Sequence, residues 1–162
     1  MKPKFIKYYM DIAKRTAELS SAVRLQVGAI IVKNDRIVSI GYNGTPSGWD
    51  NACEHVVDVS PQDPRYDYNH FTKELKTKNE VIHAEANAIA KLAKSTESGE
   101  GAVMFLTHAP CMDCAKQIYT AGIRKVFFDS NYRSTDGVVF LNNCNLEVEQ
   151  INETLETNSH LQ

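Results

Sequence analysis

Four side chains in two short stretches have the types and spacing of a metal site that activates water. His83 and Glu85 stand two apart in Val81-Ile82-His83-Ala84-Glu85-Ala86-Asn87-Ala88-Ile89, and Cys111 and Cys114 stand three apart in Pro110-Cys111-Met112-Asp113-Cys114. A catalytic zinc takes three protein ligands and keeps its fourth position for water. His83, Cys111 and Cys114 supply three. Residues three apart on a first helical turn share a face, so the cysteine pair fits one ion. Glu85 cannot share the direction of His83, which suits it better to carry protons beside the metal than to be a fourth ligand. Each piece alone is weak. His-x-Glu is common on surfaces, and Cys-x-x-Cys also serves redox chemistry or half of a four-cysteine structural zinc site. The remaining cysteines, Cys53 and Cys144, are far apart and form no second pair.

These residues need helices that begin at them. Ala86, Ile89, Ala90 and Ala93 make the inner stripe of a helix predicted over 83–94. A second helix is expected over 111–121, stopped by Gly122, with Pro110 suited to its first position. Two helix N-termini then face the metal, where their positive ends favour thiolate. Upstream, Phe5, Ile6, Tyr9, Ile12, Ala13, Thr16 and Leu19 predict a packing helix over 5–20. Residues 27–32 and 36–42 read as a hairpin turning at Asn34-Asp35, and further strands are expected over 102–107, 125–128 and 146–151. A short helix is expected over 137–142, after a loop containing Tyr132 and Arg133. Helix, hairpin, then alternating helix and strand imply an α/β fold: a five-stranded mixed sheet between helical layers. Residues 45–80 show little periodicity and read as a long connection of functional or mobile character. Cys53, His55 and His70 in it could bind a second, structural metal; the plainer reading is a buried thiol and exposed imidazoles. The polar tail 152–162 reads as frayed.

The length of 162 residues suits one domain with a real core. A net charge of −2 provides no excess of positive charge for nucleic acid. No stretch resembles a signal peptide or a membrane span. Two of the four cysteines read as metal ligands, which points to a reducing, cytoplasmic setting without disulfides.

H-x-E followed by P-C-x-x-C marks the zinc-dependent nucleobase deaminases. The chain resembles the three-layer cytidine deaminase fold over roughly residues 5–150. Within that group, Gln26-Val27-Gly28-Ala29-Ile30-Ile31-Val32, Gly41-Tyr42-Asn43-Gly44 and the two metal stretches look like the deoxycytidylate (dCMP) deaminase family. The Gly-Tyr-Asn-Gly element separates it from tRNA adenosine, guanine, riboflavin-pathway and free-nucleoside deaminases. The resemblance implies hydrolysis of dCMP to dUMP and ammonia, with Zn2+ on His83, Cys111 and Cys114 and with Glu85 carrying the protons. It implies Asn43 at the sugar, the Ala84 N–H at the pyrimidine O2, and Arg24 with Tyr132 at the 5′-phosphate. Arg24 by itself reads as a solvated cation near a helix end, and the Gly-Tyr-Asn-Gly stretch by itself as a turn. The resemblance also implies that Gly41, Tyr42, Asn43 and Gly44 sense dCTP as activator and dTTP as inhibitor, with Mg2+ on the triphosphate, in a homo-oligomer, a hexamer. Two rival readings differ in class. A deaminase of tRNA or single-stranded DNA is opposed by the mild negative charge and by the lack of a basic, aromatic groove. A non-catalytic, zinc-stabilised nucleotide sensor would have no reason to keep Glu85.

Overall fold

The most apolar runs of the sequence become central strands, and the helices close over them from both sides. A computed structural model describes residues 1–59 and 72–151; His70 and the tail 152–162 lie outside the described residues. In chain order the elements are α1 (Pro3–Ala17), β1 (Gly28–Lys33), β2 (Arg36–Tyr42), β3 (Glu54–Val59), β4 (Thr72–Thr77), α2 (Ala84–Ala93), β5 (Val103–His108), α3 (Met112–Thr120), β6 (Lys125–Ser130), α4 (Asp136–Asn143) and β7 (Glu147–Gln150).

Five strands form one sheet in the order β2-β1-β5-β6-β7. β1 runs antiparallel to β2 and β5, whereas β6 is parallel to β5 and β7. Asn34 and Asp35, at φ 50° and 58°, make the left-handed pair that a two-residue hairpin requires. Strand alternation sends Ile30, Val32, Phe105 and Phe127 to one face, where α1 covers them with Ile6, Tyr9, Met10 and Ala13. Ala29, Ile31, Met104, Leu106 and Phe128 go to the other face, under α2, α3 and α4. This is the expected three-layer, mixed-sheet architecture of the cytidine deaminase fold.

Two glycines let helices come close to the strands. A Cβ on Gly28 would run into the Ala13 carbonyl of α1, and one on Gly41 into the Ala84 carbonyl of α2. Ser39 reinforces the second contact by donating its hydroxyl to the Ala88 carbonyl at 2.7 Å.

Several expectations are corrected. Residues 45–80 are not one irregular connection: β3 and β4 pair antiparallel as a separate two-stranded sheet. Their pattern was faint because both strands are polar and half open to water. Val56 faces Leu75 across the pair, and both are exposed. Helix α1 stops at Ala17, so Leu19 lies beyond it and is exposed, as is Phe5; Met10 and Ala17 complete the buried stripe instead. Pro110 is not the first helical residue. Cys111 is still extended, at ψ 169°, and serves as the N-cap, so α3 opens at Met112. The last strand is also shorter than 146–151, at Glu147–Gln150.

Candidate active site

The site is assembled at the starts of α2 and α3, which meet near the ends of β2 and β5. An isolated bridge joins Gly44 to Ile82 through both backbone bonds, 3.1 and 2.8 Å. It ties the segment after β2 to the residue before His83. His83 is the N-cap of α2, in an extended conformation, and its side chain does not cap the helix. The imidazole is therefore free to meet the cysteines: Nδ1 lies 3.4 Å from Cys114 Sγ and 3.6 Å from Cys111 Sγ. The three donor atoms lie within 4.8 Å of one another, the one such group among the described residues.

The donor set fits zinc. Bonds of about 2.0–2.1 Å to nitrogen and about 2.3 Å to sulfur, at tetrahedral angles, put nitrogen and sulfur about 3.6 Å apart. The two observed separations are close to that. Hydrogen bonds from Cys114 and then His83 lower the Cys111 thiol to about 4, so it is the first of the pair to ionise. Cys114 is pushed up by its bond to Cys111 and by burial. The bond to Cys111 raises His83 despite burial. Glu85 lies outside this group of donors. It is 4% exposed, and desolvation is the main cause that raises its carboxyl. A carboxyl held up in this way can hold and release a proton nearer neutral pH.

A cleft of about 220 Å3 opens over His83, Ala84, Glu85 and Cys111. Arg24, Asn43 and Tyr132 line it. Arg24 is exposed and donates through Nη1 to Thr77 Oγ1 at 3.1 Å. Asn43 is buried, and its amide braces the entrance: Oδ1 accepts the Val27 N–H at 2.8 Å, and Nδ2 donates to the Leu25 carbonyl at 2.9 Å. One N–H and one lone pair of that amide remain for a ligand. Gly41, Tyr42 and Gly44 do not line the cleft. Gly41 is packed beneath α2, and Tyr42 lies under Lys91 Nζ, 5.0 Å from its ring centre, while its carbonyl accepts from Asn87 Nδ2 at 2.9 Å. Gly44 has no atom near its would-be Cβ, so close approach is not what calls for glycine there.

Sequence reasoning missed four polar lining residues, Glu54, Thr77, His108 and Arg133, and the apolar Leu25, Val27, Val81 and Ala109. His108 ends β5, three residues before Cys111, and Arg133 adjoins Tyr132, so position alone could have suggested these two. Thr107 Oγ1 accepts the Gly28 N–H at 3.1 Å and lies 3.1 Å from His108 Nδ1. Cys53 is fully buried, with Ser21 Oγ at 3.5 Å, and His55 is exposed; neither joins a metal-binding group among the described residues. All four cysteines are unbridged.

Residues 3–130 match the cytidine and deoxycytidylate deaminase zinc-binding region. The chain is 33% identical over 168 residues to the deoxycytidylate deaminase of Enterobacteria phage T4, covering 86% of each chain. It is 35% identical over 139 residues to the deoxycytidylate deaminase of Homo sapiens, covering 80% of this chain and 67% of the other. Among solved structures, the dCMP deaminase of the cyanophage S-TIM5 in complex with dCMP and dUMP superposes with a TM-score of 0.78 at 41% identity, covering 93% and 99% of the two chains. The histidine–cysteine–cysteine group, the buried glutamate beside it and these matches together place the chain in the zinc-binding cytidine and deoxycytidylate deaminase family, as a hydrolytic deaminase.

Proposed function

We propose that this chain hydrolyses dCMP to dUMP and ammonia. One observation carries the reading: a single cleft is lined by two members of a zinc-type donor set, His83 and Cys111, by the buried carboxyl of Glu85 and by two arginines, Arg24 and Arg133. A pyrimidine at the donor set and a phosphate at the arginines would use both groups. The likeness to phage enzymes named for dCMP supports the same substrate.

His83, Cys111 and Cys114 would hold the zinc, which when bound lowers the pKa of water from about 15.7 to about 7. Glu85 takes the water proton and passes it to N3 of cytosine, which makes C4 electrophilic. The remaining hydroxyl adds to C4. The carboxylate then takes the proton of that hydroxyl and passes it to the amino group, and the C4–N bond breaks to release ammonia and leave the C4 carbonyl of dUMP. The burial of Glu85 keeps these proton transfers away from bulk water. The Ala84 N–H is one of the unpaired donors of the first turn of α2 and suits the pyrimidine O2. Asn43 has an N–H and a lone pair left for the sugar. Arg24 and Tyr132 bind the 5′-phosphate.

The reading extends to regulation: dCTP with Mg2+ activates, dTTP inhibits, and a homohexamer makes the response cooperative. A physical route supports it. Gly41 and Tyr42 rest on α2 through Ala84, Ala88 and Asn87, and Gly44 is bonded to Ile82. A nucleotide at this segment would bias the helix whose first turn carries Glu85. Such coupling is typically about 1–3 kcal/mol.

Ammonia release should be measured with zinc present on dCMP, CMP, deoxycytidine, dCTP and a cytosine-containing oligonucleotide. Preference for dCMP is expected, with sigmoidal kinetics that dCTP makes hyperbolic. Preference for the oligonucleotide would move the chain to polynucleotide deamination, and absence of ammonia from every substrate would overturn the enzymatic reading.

A further inference from the structure

The segment between α1 and β1 carries Arg24 to the cleft, yet little packing holds it there. Val23 is 78% exposed and Leu25 38% exposed, so burial contributes little to fixing the chain between them. Hydrogen bonds do this instead: Asn43 holds the Leu25 carbonyl, and the separate β3–β4 sheet holds Val23 and Arg24. Glu54 is the first residue of β3, and Thr77, the last of β4, stands directly opposite it. The Glu54 carboxylate accepts the Val23 N–H at both oxygens, 3.2 Å each, and the Arg24 N–H at Oε1, 3.1 Å. Thr77 Oγ1 accepts Arg24 Nη1 at 3.1 Å. One rung of the hairpin therefore grips Arg24 by its main chain and by its guanidinium. Both members of the rung line the cleft. Among the described residues, the other guanidinium N–H groups of Arg24 have no protein partner, which leaves them for the oxygens of a ligand.

We propose that Glu54 and Thr77 are positioning residues that aim Arg24 into the cleft, and that through Arg24 they set the preference for a phosphorylated over an unphosphorylated nucleoside. The proposal rests on the reading of Arg24 as the phosphate contact. A carboxylate beside an anion site would by itself weaken anion binding. Here its charge is taken up by two backbone N–H groups, and it acts on the phosphate through the arginine it orients.

The test is steady-state kinetics of the zinc-loaded enzyme on dCMP and deoxycytidine for wild type, E54A, E54Q, T77V, T77S and R24A, together with E54A/R24A. E54A and T77V should raise KM for dCMP about ten- to a hundredfold, the range for losing a hydrogen bond to a charged group, while kcat stays within about twofold. T77S, which keeps the hydroxyl, should restore KM, and E54Q, which keeps one acceptor oxygen, should fall between. E54A should add nothing in the R24A background, because it acts through that residue. Equal losses on dCMP and deoxycytidine, or full additivity with R24A, would make the rung a scaffold and overturn the proposal. Should E54A fail to fold, T77V on the same rung decides alone. A wild-type enzyme that ignores dCMP would instead sink the functional reading, and this proposal with it, whereas normal dCMP turnover with an unchanged T77V sinks this proposal only.

Discussion

Glu85 combines two conditions that rarely coincide: it is 4% exposed, and it borders sulfur and imidazole donors suited to a cation. Burial raises its carboxyl, and a proton can rest there between transfers. Replacement E85Q keeps the shape and removes the titration. It should retain zinc, measured by metal analysis, and lose about 10²–10⁴ in kcat; loss of the metal would make Glu85 a ligand. His108 has a pH signature of its own. Burial holds it below its ordinary 6.5, against the pull of Asp129. Above that value folded and unfolded chains are both neutral at this residue. As pH falls through it, the unfolded chain takes up a proton that the folded chain resists, so stability declines with acidity. H108N should flatten this part of the decline, seen as a smaller fall in Tm between about pH 7.5 and about pH 5.5. His83, Glu85, Cys111 and Cys114 were legible in the sequence because their chemistry is fixed by spacings of two and three residues. Glu54 and Thr77 were not, because they meet Arg24 only after a hairpin has formed, and nothing local to either residue announces that contact.

Among elements, the Gly-Tyr-Asn-Gly stretch separates into halves with different duties. Gly41 is where β2 touches α2, and any side chain there meets the Ala84 carbonyl and the Ala88 backbone. G41A should destabilise the fold by about 1–3 kcal/mol, as overpacking does. Gly44 has neither a positive φ nor a neighbour in the way. G44A should stay within about 0.5 kcal/mol. Urea melts of the two variants check both numbers, and equal costs would contradict the packing argument. The mixed sheet and the layering were readable because β1, β5 and β6 are nearly continuous apolar runs and because helices alternate with strands after the hairpin; the strand order was not read from the sequence. The β3–β4 pair was unreadable for the opposite reason. Its strands hide no common apolar face, so backbone pairing, rather than a hydrophobic pattern, makes them strands. The boundary of α1 was misread because Leu19 continues the helical period although the helix has already ended at Ala17.

For the whole molecule, the candidate metal site ties together the starts of two helices that β5 separates in sequence. Metal bound only by the folded chain stabilises it by mass action, about 4 kcal/mol when free metal is a thousandfold above Kd. Chelation should therefore lower Tm as well as abolish activity, and added zinc should restore both; an unchanged Tm would confine the metal to chemistry.

One consequence concerns the order in which the chain is made. Helix α1 precedes every strand it covers, and its partners Phe105 and Phe127 belong to β5 and β6, the second of which ends at Ser130. At about 5–20 residues per second, roughly 6–20 seconds separate the synthesis of the helix from that of β6. Until β5 has been made, Ile6, Tyr9 and Met10 can rest only on the β1–β2 hairpin, and until β6 has been made they lack Phe127. A nascent chain stalled between β5 and β6 would show an apolar α1 that a ribosome-bound chaperone could grasp, and release should follow once β6 has emerged.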